Sequence, residues 1–330
     1  MVYGPCGGVR SDLSCEMDTR PCPFAQRREA VAWSGGPSAP LPPAPQAPAS
    51  RLLQAISSGR PVVVTDLTLP PYDAEVLARV TGILRGSCDA LLVGEHQDQP
   101  DFPPTLMAQL VRGSGGNAWL TLTCRDRNRV VLEQELAGLL SAGADGVLCV
   151  TGDGRAPGVR PDVTQVFDLD GTRLAALAAS RGLAVAVPES PAAPPRDIRA
   201  GRLLQKQRAG AHLAILNHVR SVEEVREFVS RARDEGVTLP VVAAVGVYTD
   251  ERSAEVLSTL PGLQLDPERV RRVLGAGDPE RAGIDSAAEE AQAMLSTGLV
   301  AGVNLSGLAS GRGEVHVAEV KAEIGRRIRS

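Results

Sequence analysis

Two rhythms of apolar residues alternate along most of this chain. Short, nearly continuous runs at 61–67, 90–94, 118–123, 146–151, 183–188, 212–217, 240–246 and 300–305 have the length of strands buried on both faces. Between them, stretches such as 73–84, 130–141, 172–181, 221–235 and 283–296 repeat their apolar residues at helical spacing. The clearest unit runs from Ala118 to Asp153, where an apolar run enters the polar elbow Cys124-Arg125-Asp126-Arg127-Asn128. A helix follows, with Val131, Leu132, Leu136, Leu139 and Leu140 on its apolar stripe, and Gly143 closes it. A second apolar run then stops at Thr151-Gly152-Asp153. Eight such runs with intervening helices predict an α/β fold, a (β/α)8 TIM barrel whose strand ends all open on one face. An open doubly wound sheet has the same pattern and is the alternative. The Gly-, Pro- and Asp-containing segment 261–283 breaks the rhythm before the last strand and reads as an insertion over the active face.

The chain before residue 51 follows neither rhythm. Residues 34–49, SGGPSAPLPPAPQAPA, are rich in proline, which removes backbone donors and favours extended, solvated conformations. The predicted organisation is a cysteine-rich module at 1–33, a linker at 34–50 and the barrel at 51–330, with the module tethered rather than built into the core. Cys6, Cys15 and Cys22 each sit beside Gly or Pro or in a polar context, with no periodicity between them. A segment that cannot order itself by apolar burial, yet carries three spaced thiols, points to a metal clip, either zinc or an iron–sulfur cluster. A fourth ligand would come from Asp12, Glu16, Asp18 or the barrel. The competing reading is a flexible tail with free thiols.

Composition narrows the function classes. The 330 residues are 43% hydrophobic and 22% charged, enough for one large core, and the net charge of −4 offers no basic face for nucleic acid or anionic lipid. Aromatic residues make up 3%, too few for base-stacking platforms. No apolar run reaches the length of about 18 residues that a membrane span needs, and six cysteines in a chain this long do not make a disulfide scaffold. The expectation is a cytoplasmic protein that acts on a small molecule, either as a homo-oligomer or with a partner docked through the N-terminal module.

The predicted strand ends carry a polar ring. It comprises Asp66, Glu95 and His96, Thr121 to Arg129, Thr151 and Asp153, Glu189, Asn217 and His218, Tyr248, and Asn304 with Ser306. Asp153 stands out because it follows a wholly apolar strand and a glycine that lets the backbone approach a ligand closely. No GxGxxG, GxxxxGK[ST], GxSxG or HExxH motif is present, so Rossmann-type dinucleotide binding, P-loop hydrolysis, serine-esterase and zincin chemistry have no sequence warrant.

LTCRDRNR, then a helix, then GADGVLCVTGD resembles the methylenetetrahydrofolate reductase superfamily, in its branch with TCRDRN on strand 3 and TGD on strand 4. The resemblance continues through Val166 to Asp170, Lys206 to Ala211, and Pro261-Gly262 with the DPERAGID region. The GPCGG…CE…PC pattern is similar to a cysteine module that accompanies some anaerobic and actinobacterial members. What the resemblance implies is a (β/α)8 barrel with FAD, NAD(P)H and a tetrahydrofolate derivative, and hydride transfer to 5,10-methylenetetrahydrofolate that gives 5-methyltetrahydrofolate. It implies Asp153 near flavin and pterin, Asn217 and Asn304 toward the folate, Lys206 and Arg202 toward flavin phosphates, and Thr121 and Thr151 where relatives hold a histidine and an arginine. Arg199 and Arg202 replace residues that are polar or acidic in flavin-binding relatives. The family's strand-1 proton donor is a glutamate three residues before a Pro pair; here that position is Leu67, and the nearest acid, Asp66, is one residue earlier. On a regular strand that offset reverses the side chain. The alternative implied by these departures is a folate-dependent one-carbon transfer enzyme, or an accessory subunit, on the same barrel.

Overall fold

The β-type runs close on themselves. In the computed structural model, which describes residues 2–5, 8–33, 49–67, 69–217, 219–259, 265–308 and 310–330, the chain runs α1 (Arg51–Ser57), β1 (Val62–Leu67), α2 (Ala74–Leu84), β2 (Ala90–Val93), α3 (Pro104–Gly113), β3 (Ala118–Thr123), α4 (Arg129–Ala142) and β4 (Gly146–Val150). It continues α5 (Gly171–Ser180), β5 (Val185–Glu189), α6 (Arg199–Arg208), β6 (Leu213–Leu216), α7 (Val222–Asp234), β7 (Val241–Val247), α8 (Glu251–Thr259), α9 (Pro267–Leu274), α10 (Pro279–Ser296), β8 (Gly302–Gly307) and α11 (Glu314–Arg329). All eight strands pair in parallel in sequence order, and β8 returns to β1 with Val62 opposite Gly302 and Thr65 opposite Leu305. The structure is the expected (β/α)8 barrel, and the open-sheet alternative is excluded.

Strand alternation splits the apolar residues into two concentric cores. Val62, Val64, Leu92, Trp119, Leu148, Ala186, Ile215 and Val242 point inward and fill the barrel, with Leu52 of α1 among them. Val63, Leu67, Leu91, Val93, Leu120, Leu122, Val147 and Cys149 point outward and pack on the helices. Asp145 fastens the floor: its carboxylate accepts from Trp119 Nε1 at 2.8 Å, from the Ser50 hydroxyl at 2.9 Å and from the Arg51 amide at 2.7 Å. The helices start where the sequence supplies caps, as at Asp73, Asn128, Asp170 and Ser221, each accepting from an amide three residues on.

Two expectations change. Most of the described part of 261–283 is helical: α9 fills 267–274 and α10 begins at Pro279, while 260–264 lie outside the described residues. Helices α8 and α9 pack together through Tyr248, Ala254, Leu257 and Val273 at the mouth side of β7. The N-terminal segment is not merely tethered, since residues 2–5 and 8–33 pack on the barrel mouth, as described below. No helix among the described residues is long and apolar enough to cross a membrane.

Candidate active site

The TGD turn after β4 forms because position 152 takes a conformation that only glycine adopts freely. Gly152 has φ +85°, and a Cβ there would lie 2.9 Å from the Cβ of Thr123. The turn carries Asp153 into a cavity of about 390 Å³, within the ordinary size of small-molecule sites. Thr121, Thr151, Asn217, Arg202 and Lys206 line the same cavity, so six of the residues expected at the site converge. Thr151 also braces the fold, its Oγ1 accepting the Gly171 amide at 2.9 Å.

A smaller hollow of about 220 Å³ adjoins it, sharing Gly94, Thr121 and Asn217, and holds Asp66, Asn304 and Ser306. Asn304 is 2% exposed and its Oδ1 has no hydrogen-bond donor among the described residues. Asp66 and Asp153, both expected to be catalytic, therefore line different hollows. The register question is settled by the pleat. Asp66 shares the inward parity of Val62 and Val64, whereas Leu67 lies in the outer core, so counting back from the Pro pair selects the wrong face. The Asp66 carboxylate is nonetheless fully engaged: Lys321 Nζ of α11 donates to Oδ1 at 2.7 Å and Ser306 Oγ donates to Oδ2 at 2.5 Å.

On the β5 side of the larger cavity, α6 presents Arg199, Arg202 and Lys206, spaced three and four apart on one face, to Glu189. Arg199 Nη1 donates to Glu189 at 3.0 Å and Lys206 Nζ at 2.9 Å. Burial alone would raise the Glu189 carboxyl, but Lys206, Arg202 and Arg199 together hold it down at about 2. Burial brings Lys206 down to about 8 and Arg202 to about 10, against the pull of Glu189. Three cations facing one carboxylate leave a surplus of positive charge, and Arg202 Nε has no partner among the described residues.

A flavin dinucleotide does not fit these residues. Lys206 donates to the Pro188 carbonyl as well as to Glu189, and Arg199 donates also to the carbonyls of Ala193 and Pro194. Arg202 is roofed by the N-terminal segment, where a Cβ on Gly4 would overlap its guanidinium. The cations that would meet a diphosphate are thus turned inward or covered.

That roof is the least expected feature. Tyr3, Gly4, Pro5, Gly8 and Glu16 all line the larger cavity. The segment is held by Val2 N donating to Asp170 at 3.1 Å, Trp33 N to Gln205 Oε1 at 2.6 Å, and Tyr3 packed between the tilted ring of Trp33 (centroids 5.4 Å apart) and Arg173. Within it, Val9 pairs with Cys15, and Cys22 is buried beside Phe24 and Ala25. Cys6 lies outside the described residues, and among those described no group of three or more His, Cys, Asp or Glu comes together to hold a metal. Glu16, one of the carboxyls offered as a fourth ligand, turns instead to Asp153. Burial, and then the charge and hydrogen bond of Asp153, raise its carboxyl to about 8.

The rest of the polar ring is structural or set apart. Glu95 is clamped by Arg127 Nη1 at 2.9 Å and the Thr123 hydroxyl at 2.8 Å; Asp126 is paired with Arg125 and Arg155; His96 faces Asp101 at 3.4 Å. Tyr248 is buried among α8 and α9, and His218 lies outside the described residues. Sequence reasoning offered Glu16 only as a candidate metal ligand, not as part of the cavity, and did not foresee Lys321 as the partner of Asp66. Each reaches the mouth from a distant part of the chain.

The family model described as methylenetetrahydrofolate reductase matches residues 94–312, about two thirds of the chain. The chain belongs to that family. Membership supports a folate-related, oxidoreductase-like function. The match begins after β1, so neither Asp66 nor the N-terminal segment is part of what this methylenetetrahydrofolate reductase family model recognises. No curated protein matches the chain. Among solved structures, a chain of Mycobacterium tuberculosis tryptophan synthase is 16% identical with a TM-score of 0.51, covering 86% of this chain and 99% of that one, a likeness of fold alone. A chain of Pyrococcus furiosus tryptophan synthase (15% identity, TM-score 0.40, 71% and 97% covered) and an oxaloacetate acetylhydrolase (12%, 0.45, 78% and 79%) are also similar.

Proposed function

We propose that this protein binds a reduced folate in the larger cavity and transfers a hydride from a nicotinamide cosubstrate to the one-carbon unit of 5,10-methylenetetrahydrofolate, giving 5-methyltetrahydrofolate. The observation that carries the reading is Asp153, held on the Gly152 turn and opening into a cavity walled by Thr121, Thr151 and Asn217. A carboxylate there accepts the paired N–H groups of an aminopyrimidine edge and lies close to the positive charge that develops as the imidazolidine ring opens. Asn217 supplies a donor and an acceptor across the cavity. No step is routed through flavin, because the side chains do not fit it.

A second reading is favoured by one observation: Asp66, the residue nearest the family's strand-1 acid, is tied into an ion pair. On that reading the barrel binds folate and moves its one-carbon unit without reducing it. Full-length protein titrated with tetrahydrofolate and assayed for NAD(P)H-dependent reduction of 5,10-methylenetetrahydrofolate separates the two. The reductase reading expects both binding and turnover, with Asp153→Asn weakening binding at least tenfold. Binding without reduction supports the second reading, and failure to bind overturns both.

A further inference from the structure

We propose that the smaller hollow receives the nicotinamide ring of the cosubstrate and that Asn304 recognises its carboxamide. The proposal rests on the hydride-transfer reading for the identity of the cosubstrate. It parts from the family resemblance, which would turn Asn304 toward the folate.

Asn304 stands where an apolar side chain would ordinarily lie. It sits in register with Val64 of β1 and Ala244 of β7, in the inward layer of the barrel, and is 2% exposed. Its Oδ1 is buried with no donor among the described residues. A buried acceptor without a donor is costly, so the position calls for a reason beyond packing. The other polar groups of the hollow are accounted for. Asp66 accepts from Ser306 and Lys321, while Thr121 and Asn217 stand on the edge shared with the larger cavity. Much of the remaining lining is apolar or small, with Leu92, Leu148, Ala244 and Gly246 among it.

Such a lining suits a flat ring that carries one amide. The carboxamide N–H groups of nicotinamide supply the donor that Asn304 Oδ1 lacks, and the terminal torsion of an asparagine is broad enough for its amide to turn to an entering ligand. An aminopyrimidine presents paired N–H groups that call for a free carboxylate. The carboxylate in this hollow, Asp66, is already engaged, whereas Asp153 opens into the larger cavity. Size agrees, because about 220 Å³ takes a single ring with its amide and leaves the rest of a dinucleotide outside. Position agrees as well. Direct hydride transfer needs donor and acceptor carbons in contact, and the two hollows meet along Gly94, Thr121 and Asn217.

The test uses full-length wild type, Asn304→Leu and Asn304→Ala. Calorimetric titrations, with and without saturating tetrahydrofolate, measure affinity for NADH, NADPH and their reduced 3-acetylpyridine analogues, which keep the carbonyl but have no amide N–H. Wild type is expected to bind the better carboxamide cosubstrate about tenfold tighter than its analogue, the worth of one hydrogen bond. Asn304→Leu should weaken that cosubstrate about tenfold and bind it no better than the analogue, with tetrahydrofolate affinity within about threefold. Its Tm should be unchanged or higher, because an unpaired buried acceptor gives way to an apolar group of similar size; a purely structural role for Asn304 predicts a fall. If Asn304→Leu does not fold, Asn304→Ala and the analogue comparison on wild type decide. Equal affinity of wild type for cosubstrate and analogue, no binding of either cosubstrate, or a loss of tetrahydrofolate instead of NAD(P)H in the variants overturns the proposal, and leaves the folate reading standing wherever wild type binds tetrahydrofolate. Discrimination between cosubstrate and analogue in a wild type that does not bind tetrahydrofolate sinks the folate reading and supports the nicotinamide site.

Discussion

Removing the charge of Asp66 tests whether this residue is a catalytic acid or a structural anchor, because the two roles predict opposite patterns. Lys321 has a side chain only 2% exposed and directs its ammonium at Asp66 Oδ1 and at the Asp66 carbonyl, whereas the Asp66 side chain is 32% exposed. Breaking a fully buried pair by removing one partner costs about 3–5 kcal/mol, since a charge is left without compensation. The cost here is asymmetric. Asp66→Asn strands the buried ammonium, and because water reaches the aspartate end we expect about 2–3 kcal/mol. Lys321→Met leaves a carboxylate that keeps Ser306 and solvent, and we expect about 1 kcal/mol. The double variant should resemble Lys321→Met alone, giving a coupling of about 2–3 kcal/mol. Thermal unfolding reads this directly, at about 2–4 °C per kcal/mol for a chain of this class. Turnover per folded molecule of Asp66→Asn should stay within about tenfold of wild type, well short of the loss that removal of a general acid causes. A variant with wild-type thermal stability and turnover reduced by 10²-fold or more would refute this reasoning and restore Asp66 as the acid.

Other consequences follow from the same geometry. Glu16 is raised from 4.5 to about 8, so its contribution to stability is complete below about pH 4.5 and is lost as pH rises through about 8. The full shift sets a ceiling of about 3–4 kcal/mol between pH 5 and 8, and partial solvent access brings the expectation to about 1–2 kcal/mol; Glu16→Gln should flatten that slope in thermal unfolding scans. Glu189→Gln leaves Arg199, Arg202 and Lys206 facing one another without a counter-ion, and should lower stability by about 3–5 kcal/mol, visible as a fall in Tm. Gly152→Ala forces an L side chain to φ +85° with its Cβ against Thr123, and should cost about 1–3 kcal/mol while weakening tetrahydrofolate binding through displacement of Asp153. Full-length protein purified without added cofactor should lack flavin absorbance; a stoichiometric flavin spectrum would show that the cations of α6 are open to a diphosphate after all.

What the sequence made legible, and what it hid, follows from where each signal is stored. The strands of a barrel are buried on both faces, so their apolar runs are nearly unbroken, and all eight emerge within one or two residues of the observed elements. The TGD turn was legible for a similar reason, because its glycine answers a local backbone requirement at φ +85°. Helices α6 and α11 were harder to see because charge occupies their inward faces. Arg199, Arg202 and Lys206 meet Glu189 where an apolar stripe would ordinarily lie, and Lys321 reaches Asp66 from a helix whose inward face reads as interrupted. A buried cation with a distant partner has no local signature; only the fold creates the pair. The same holds for Glu16. In sequence it stands beside Cys15, among spacings that point to a metal, and nothing local says that its carboxyl meets a residue 137 positions downstream. Tyr3, Trp33 and Val2 settle that by fastening the segment to α5 and α6 and to the loop before α5, which converts an apparent appendage into one wall of the cavity. If the wall is what the contacts make it, the charge state of Glu16 is set by the barrel rather than by the thiols beside it, and exchanging Cys15 for serine should leave the pH dependence of stability unchanged while Asp153→Asn reduces it to the part that burial supplies.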